Sequence, residues 1–517
     1  MTKESSRTEN VARNIIWGYV ANIANMVLKF VARTVFIYTL GSDYLGLNGL
    51  FTNVLGILSF TELGISGVLN FSLYKPLALH DNEKIKSLMS VYKKAYRLIS
   101  LIVLGIGLAI IPLMPYVIKD AGNVDHIYLY YGFFLFNTVT SYLVSYKNGL
   151  MNAAQREYAV NNITVVVNAA TVVMQCIALL VFRNYLLYLV IQSVFLIVQR
   201  VFISIYVDRE FPLLKEKNAE KLPEEDKQVI KDNVEAMVYH KIGDVCVHQT
   251  DNIIVSAFVS LSAVGKIANY TLITSSLNTI IAVIVNNCVS SMGNFISTEG
   301  HQRKKEIFKV YNFLAFWLYG FVAIELFVLF QPFVQVWAGK SNMIDNLTIT
   351  IIVIEYYFTG MRVAVANFKS ACGIFQADKY IGIVQAVVNL VLSIILAKWI
   401  GLPGVYLGTV AQGVVDLVWR PRIVYHQVFE ESAREYYVQW LKYLALILCM
   451  AGICYVAAGF IFVKITLVRV VIAGVVVMLL VNGAFLLLFR KTEEFQFLWG
   501  KVQTLFGKYS AKILGRR

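Results

Sequence analysis

Long apolar segments alternate with short polar ones along almost the whole chain. Most apolar segments reach about 20 residues, the length that a helix needs to cross roughly 30 Å of hydrocarbon. Their apolar runs are continuous rather than alternating, which favours membrane-spanning helices over the strands of a barrel. The pattern predicts fourteen such helices, over residues 14–40, 45–74, 90–118, 127–147, 157–182, 184–207, 235–260, 267–296, 308–331, 347–368, 378–399, 402–425, 438–463 and 466–489.

The composition leaves no room for an ordinary soluble domain. Hydrophobic residues make up 58% of the chain and charged residues only 15%, whereas soluble domains carry about 25% charged residues. No catalytic signature is present, and Gly339-Lys340-Ser341 lacks the earlier glycine of a phosphate-binding loop because that position holds Val334. We therefore predict an all-α integral membrane protein that is not an enzyme, with no cofactor beyond a coupling H⁺ or Na⁺.

The charges in the loops predict an orientation. Lys and Arg collect in every second loop, beginning with the N-terminal segment and ending with the C-terminal tail, whereas the opposite loops hold few. Cytoplasmic loops of membrane proteins carry such an excess, so both termini are predicted to lie in the cytoplasm. The net charge of +14 is then mainly an orientation signal beside anionic lipid, not a nucleic-acid footprint.

An internal repeat accompanies this topology. Three short strings recur at an offset of about 220 residues, and one of them pairs Leu45-Gly46 with Val264-Gly265. Six helices separate the copies, so both halves have the same orientation, as in transporters with parallel repeats. The sequence therefore predicts two pseudo-symmetric six-helix lobes, a linker, and a final helix pair with a basic tail. Their bounds are 1–207 for the N-lobe, 208–234 for the cytoplasmic linker, 235–430 for the C-lobe and 431–517 for the remainder.

Ionisable residues inside the predicted helices are the candidates for function, because charge in hydrocarbon is costly and usually faces a cavity or a partner. Lys29 and Arg33 lie one turn apart on the first helix. Glu62 lies in the second, and Glu355 shares a face of the tenth with Arg362. Each cation has two interpretations, a contact to an anionic substrate or a structural ion pair. Two further carboxylates, Glu325 and Asp416, have no role that the sequence indicates.

The seventh predicted helix carries a polar stripe of Lys241, Asp244, His248 and Asp251 at spacings of three, four and three. The stripe indicates either a water-filled cavity or polar packing between helices. Because His titrates near neutrality, the stripe also suggests coupling to proton or sodium movement. A metal site on its last three residues is a weaker alternative. Asn278 and the other asparagines of the eighth helix indicate either the lining of the same cavity or hydrogen bonds between helices.

Several strings then resemble the start of Wzx-type polysaccharide flippases, of the multidrug/oligosaccharidyl-lipid/polysaccharide exporter superfamily. They include Arg33 to Gly41, Tyr44 to Phe51, Glu62-Leu-Gly64 and Leu73 to Ala78, and His240 to Gly243 in the seventh helix. The resemblance covers helices one to twelve. It implies a fold similar to that of multidrug and toxic compound extrusion (MATE) transporters.

The resemblance also implies a function. A flippase of this kind moves an undecaprenyl-pyrophosphate-linked oligosaccharide between leaflets of the bacterial cytoplasmic membrane by alternating access. Its pyrophosphate would contact Lys29, Arg33, Arg362 or Lys241. Its sugars would contact the polar stripe of the seventh helix and the asparagines of the eighth, among them Asn278, and Glu62 would line the same cavity. The ion-coupling candidates are Asp244, His248, Asp251 and Glu355.

Partners of such a flippase would be membrane lipids and the polymerase and glycosyltransferases of polysaccharide assembly, with no nucleic acid. Two other functions stay open at this stage. One is a multidrug or metabolite cation antiporter of the same superfamily, although several cations inside the membrane argue against an acidic cavity. The other is a peptidoglycan lipid II flippase, which the charge pattern does not exclude.

Overall fold

A computed structural model describes residues 7–503 with gaps at 63–64, 120–123, 217–221, 229, 233, 235–248, 299, 373, 375–376, 378–379 and 502, and it describes no side chain at 7–22, 283 or 286–298. Within these residues the structure is helical and contains no strand. The α-helices are α1 (Arg7–Leu58), α2 (Ile65–Ala78), α3 (Asn82–Ile110), α4 (Met114–Val117), α5 (Ile127–Ala153), α6 (Glu157–Phe182), α7 (Tyr185–Glu210), α8 (Asp251–Phe258), α9 (Leu261–Thr298), α10 (His301–Trp337), α11 (Asn346–Ala371), α12 (Ile381–Ile400), α13 (Leu402–Val424), α14 (Arg434–Ile461) and α15 (Leu467–Phe489).

These helices confirm the prediction of an all-α multi-pass membrane protein. Nine of the helices in the described part of the chain are long and apolar enough to cross a membrane. Several predicted spans agree closely with the structure, since 157–182 is α6 and 466–489 differs from α15 by one residue. The agreement arises because bilayer thickness sets the length of each apolar run. The total of fourteen spans and their orientation stay predictions.

The second predicted span, 45–74, is not one continuous helix. Its first half continues α1 beyond a break at Gly41, where the backbone has φ 83° and ψ −173°. A 3-10 turn over Ser59–Glu62 then separates α1 from α2. Only glycine adopts the Gly41 conformation without strain. This residue therefore ends the first predicted span and redirects the chain into the second.

The chain forms two compact units, Met1–Asn269 and Tyr270–Arg517. In the first unit α1 packs on α6, α3 on α5, and α6 on α7. In the second unit α12 packs along α13, and α11 contacts both α10 and α13. The predicted lobes have other bounds, and they stay a prediction.

The last two helices, α14 and α15, both pack against α10 in the second unit. Phe316 of α10 stacks on Tyr443 of α14 with ring centroids 3.8 Å apart, and it contacts Phe485 of α15 at 5.1 Å. The opposite faces of the pair expose large apolar side chains such as Phe460 and Leu479. Apolar side chains without a protein partner in a membrane protein face lipid. The outer faces of α14 and α15 therefore face lipid.

Residues at equivalent positions of the predicted repeat meet inside the first unit. The hydroxyls of Ser42 and Ser262, which lie 220 residues apart, are hydrogen-bonded at 3.0 Å. A Cβ added to Gly46 would lie 2.0 Å from the Leu261 carbonyl oxygen, and one added to Gly265 would lie 1.9 Å from that of Ser42. The two contacts mirror each other, and both require glycine. Backbones in membrane helices approach this closely where the interface residues are small.

Candidate functional site

Arg33 lies on the first half of α1, within a predicted membrane span. Its Nη1 atom is buried and has no hydrogen-bond partner among the residues that the structure describes. Most buried side-chain donors in proteins are paired, and an unpaired cationic donor is more costly than a neutral one. The buried face of the guanidinium is therefore available to an anionic group, which would form a charge-assisted hydrogen bond with it.

An aromatic and amide environment surrounds this arginine. The hydroxyl of Tyr188, on α7, interacts with the side chains of Asn48 and Gln175 and lies within electrostatic reach of Arg33. The ring of Phe36 packs edge-on against Tyr188, with centroids 5.2 Å apart. The Gln175 amide also donates to the Tyr188 carbonyl at 3.3 Å. These contacts hold Tyr188 in place beside the guanidinium.

Two other predicted site residues of the first unit differ in their surroundings. Lys29 is exposed on α1, one turn before Arg33. Glu62 ends the 3-10 turn after α1, and its carboxylate accepts a hydrogen bond of 2.9 Å from the Tyr96 hydroxyl. Tyr96 in turn stacks on Tyr142 at 6.5 Å. Glu62 thus joins the turn to α3, whereas Lys29 keeps its ammonium group at the surface.

In the second unit, Glu355 and Arg362 form part of a continuous polar ladder. Thr359 donates to Glu355 Oε1 at 2.7 Å and accepts a hydrogen bond of 2.5 Å from Arg362. Arg362 Nη1 then lies 3.7 Å from the Asp416 carboxylate on α13, which also receives a 2.8 Å hydrogen bond from Arg420. The ladder therefore links α11 to α13 through two cations and one buried carboxylate.

Tight packing encloses the centre of this ladder. The side chain of Arg362 is 13% exposed and that of Asp416 only 3%. A Cβ added to Gly413 would lie 3.4 Å from the Arg362 Cζ, so the glycine lets α13 approach the guanidinium. A buried carboxylate between two guanidinium groups satisfies most of its charge inside the protein. Arg362 is therefore already paired, in contrast to the buried nitrogen of Arg33.

The remaining predicted residues are only partly described. Asp251 begins α8 and is partly buried, and Asn278 is partly exposed on α9 in the second unit. Lys241, Asp244 and His248 lie outside the described residues. Within the described part of the chain, no group of three His, Cys, Asp or Glu residues is arranged to hold a metal ion.

Glu325, for which the sequence indicated no role, points from α10 toward the final helix pair. Its Oε2 atom is buried and has no hydrogen-bond partner in the described part of the chain. A Cβ added to Gly474 of α15 would lie 3.9 Å from that atom. The carboxyl group thus lies where α15 packs against α10, away from any cation that the structure describes. We interpret it as a polar group buried at a helix interface.

Arg200 is an intramembrane cation, within the predicted span 184–207, that is not among the site residues predicted from the sequence. Its guanidinium donates to the Asn137 carbonyl at 2.8 Å and contacts the Thr140 hydroxyl on α5. Both partners lie some 60 residues away in sequence, so spacing along α7 gives no sign of them. The position of an arginine inside an apolar run is itself a signal, and it would have added Arg200 to the candidates.

The family comparison matches more than half of the chain. A family model described as polysaccharide biosynthesis protein matches residues 11–290. This match confirms the resemblance that the sequence motifs indicate. No curated protein matches the sequence.

Solved transporter structures share the fold. The lipid II flippase MurJ in an inward closed conformation matches with a TM-score of 0.68 and 12% identity, covering 91% of this chain and 99% of that one. An inward-facing multidrug resistance MATE transporter of the multidrug/oligosaccharidyl-lipid/polysaccharide superfamily matches with a TM-score of 0.56 and 14% identity, covering 76% and 93%. The MATE multidrug transporter DinF-BH matches with a TM-score of 0.56 and 12% identity, covering 84% and 98%. The predicted MATE-like fold is therefore confirmed.

Proposed function

The chain belongs to the polysaccharide biosynthesis protein family, and from that premise we propose that it is a flippase for lipid-linked oligosaccharides. It moves an undecaprenyl-pyrophosphate-linked repeat unit from the inner to the outer leaflet of the bacterial cytoplasmic membrane, for capsule, exopolysaccharide or O-antigen assembly. The site opens alternately to the two sides, and no covalent bond changes. Polymerase and glycosyltransferases act on the same lipid-linked unit before and after this step.

The observation that carries the proposal is the buried Nη1 of Arg33. A pyrophosphate that crosses the hydrocarbon needs a cationic partner at membrane depth, because an unpaired charge there is costly. Arg33 offers buried donor capacity that no described residue uses, and guanidinium groups bind phosphate oxygens through paired hydrogen bonds. We therefore propose that Arg33 is the main pyrophosphate contact.

The other predicted cations have lesser roles in this proposal. Arg362 is paired with Asp416 at 3.7 Å, so binding a pyrophosphate would require that pair to open. Lys29 is exposed one turn from Arg33 and guides the anionic head group toward it. Lys241 keeps its predicted contact with the pyrophosphate, and Glu62 and Asn278 keep their predicted place in the lining of the cavity.

Ion coupling is a separate part of the proposal. Asp251 and Glu355 are the described candidates, and Asp244 and His248 complete the set predicted from the sequence. We propose that one of these four side chains exchanges a proton or a sodium ion during the transport cycle. Export measured after the proton gradient and the sodium gradient are collapsed separately distinguishes the two ions. Full export without either gradient would contradict coupling.

The test of function is made in cells that lack the gene. Deletion should cause the lipid-linked oligosaccharide to accumulate on the inner leaflet and surface polysaccharide to disappear, and the wild-type gene should restore both. Arg33→Gln should lower restored export at least tenfold, because the pyrophosphate loses its charged hydrogen bonds. Arg33→Lys should keep part of the activity, since it keeps the charge but not the two-nitrogen geometry.

The matched control is Arg183→Gln, which removes one positive charge from an exposed arginine just after α6. It should restore export fully. Membrane levels of each variant are measured by immunoblot, so that loss of protein is not mistaken for loss of function. Full export by Arg33→Gln at normal protein level would remove the pyrophosphate role of Arg33.

A peptidoglycan lipid II flippase is a second candidate, and the fold likeness to MurJ over 91% of the chain favours it. The deletion strain discriminates between the two substrates. Loss of surface polysaccharide with intact growth supports the oligosaccharide, whereas lysis with accumulated lipid II supports the peptidoglycan precursor. A multidrug cation exporter is not favoured, because a buried arginine at the site repels cationic substrates.

A further inference from the structure

A second group of cations lies outside the intramembrane site, around a cavity in the first unit. The cavity has a volume of about 500 Å³ and lies between α3, α5, α7 and the 3-10 turn Pro212–Lys215. At roughly 30 Å³ per water molecule, this volume has room for more than a dozen waters. The loop charges predict that this end of the unit faces the cytoplasm.

Two buried lysines form the inner wall of the cavity. Lys86 is 7% exposed, and its Nζ lies 2.9 Å from Glu216 and 3.2 Å from Glu83. Lys147 is also 7% exposed, and its Nζ lies 2.6 Å from Asp208. These ion pairs fix α3 and α5 to the end of α7 and the turn that follows it. The charges of both lysines in this wall are therefore paired with carboxylates.

Two further lysines line the cavity without such pairing. Lys93 and Lys215 are exposed, and among the described residues neither has a carboxylate partner. Lys93 lies seven residues after Lys86, on the same face of α3. In all, four lysines but only two carboxylates line the cavity. Even with Glu83, which pairs with Lys86, the positive charges outnumber the negative ones. Neighbouring ammonium groups that repel each other are stabilised by a bound anion.

We infer that this cavity is a binding site for a phosphate group presented at the predicted cytoplasmic face. Lysine binds phosphate as a point charge, and the cavity volume falls within the usual range for ligand sites, about 300–1,000 Å³. Basic pockets between helices on the cytoplasmic side of membrane proteins bind anionic head groups. The phosphate belongs either to an anionic lipid of the inner leaflet or to a pyrophosphate-bearing ligand. Arg33 is not among the residues that line this cavity, so the phosphate site does not depend on the proposed function.

Binding is measured on the purified full-length chain in a non-ionic detergent. The probes are short-chain phosphatidylglycerol, inorganic pyrophosphate, and short-chain phosphatidylcholine as the zwitterionic comparison, each titrated by microscale thermophoresis. The test variant is Lys93→Gln/Lys215→Gln, which leaves both buried ion pairs intact. Each lysine near a phosphate contributes roughly fivefold in affinity, so the double variant should bind roughly 25-fold more weakly. Raising the salt concentration should weaken wild-type binding as well.

The matched control is Lys94→Gln, an exposed lysine on the same helix that does not line the cavity. It should bind like the wild type, and all variants should elute as the same monodisperse peak in size-exclusion chromatography. Binding of phosphatidylglycerol alone assigns the site to a lipid head group, and binding of pyrophosphate alone assigns it to a pyrophosphate ligand. Binding of both supports a general phosphate site. Equal binding of phosphatidylcholine, no binding of either anion, or unchanged binding by the double variant would overturn the inference.

Discussion

The strongest stability prediction concerns the buried carboxylate of Asp416. Asp416→Asn keeps the shape of the side chain and removes its charge. The carboxylate is 3% exposed and lies 2.8 Å from Arg420 Nη1 and 3.7 Å from Arg362 Nη1. After the substitution both guanidinium groups lose their pairing with this carboxylate, and Arg362 remains nearly enclosed at 13% exposure. We expect the second unit to be strongly destabilised.

The distances give the size of the effect. With an effective dielectric constant of about 20, the two pairs correspond to about 6 and about 4.5 kcal/mol of Coulomb attraction. Desolvation of the three groups offsets much of this sum. Removing one partner of a buried pair therefore costs a net 3–5 kcal/mol, roughly, because the remaining charge is left buried and uncompensated. We expect Asp416→Asn to lower the free energy of unfolding by that amount.

The assay is denaturant unfolding in mixed micelles, followed by tryptophan fluorescence. Arg362→Gln/Asp416→Asn removes the buried cation together with its partner and should recover at least half of the loss, roughly 2 kcal/mol. Arg420→Gln, whose side chain is 23% exposed, should cost less than Asp416→Asn, because Asp416 keeps its pair with Arg362. A loss below about 1 kcal/mol for Asp416→Asn, or a double variant no more stable than the single, would refute the reasoning. Normal export by the stable double variant would show that Arg362 is not a pyrophosphate contact.

Three further substitutions test the packing of the helices. Gly265→Ala should lower stability by at least about 1–3 kcal/mol, because its Cβ would lie 1.9 Å from the Ser42 carbonyl oxygen. Thermal unfolding should show no comparable loss for Gly459→Ala, whose Cβ meets nothing within 4 Å. Gly41→Ala should lower the free energy of unfolding by about 1–3 kcal/mol through backbone strain alone, since the residue has φ +83° and open space around it. An unchanged unfolding temperature would contradict this. Glu325→Leu should raise stability by about 1–3 kcal/mol, because it removes the buried Oε2 atom, which has no hydrogen-bond partner among the described residues. A fall in export without a fall in stability would instead assign Glu325 a transport role.

The sequence predicted the helices well where the bilayer alone decides their length. The spans 157–182 and 402–425 agree with α6 and α13 to within one residue, because each apolar run must match the thickness of the hydrocarbon. Spacing along a helix also predicted which residues share a face of it. Glu355 and Arg362 were predicted to share a face, and both belong to the ladder on α11. The contact of Arg420 with Asp416, four residues apart on α13, was not predicted, although the spacing allows it.

The role of each charged residue depended on the tertiary structure. Arg362 and Asp416 lie 54 residues apart, and only the packing of α11 against α13 shows that they pair. Arg200 is likewise satisfied by α5, whereas the buried nitrogen of Arg33 has no partner among the described residues. A sequence therefore shows which charged residues lie inside a membrane span, where an unpaired charge raises the free energy of the folded protein. Whether a neighbouring helix or a ligand compensates that charge is decided by contacts across helices, which no spacing along one helix reveals.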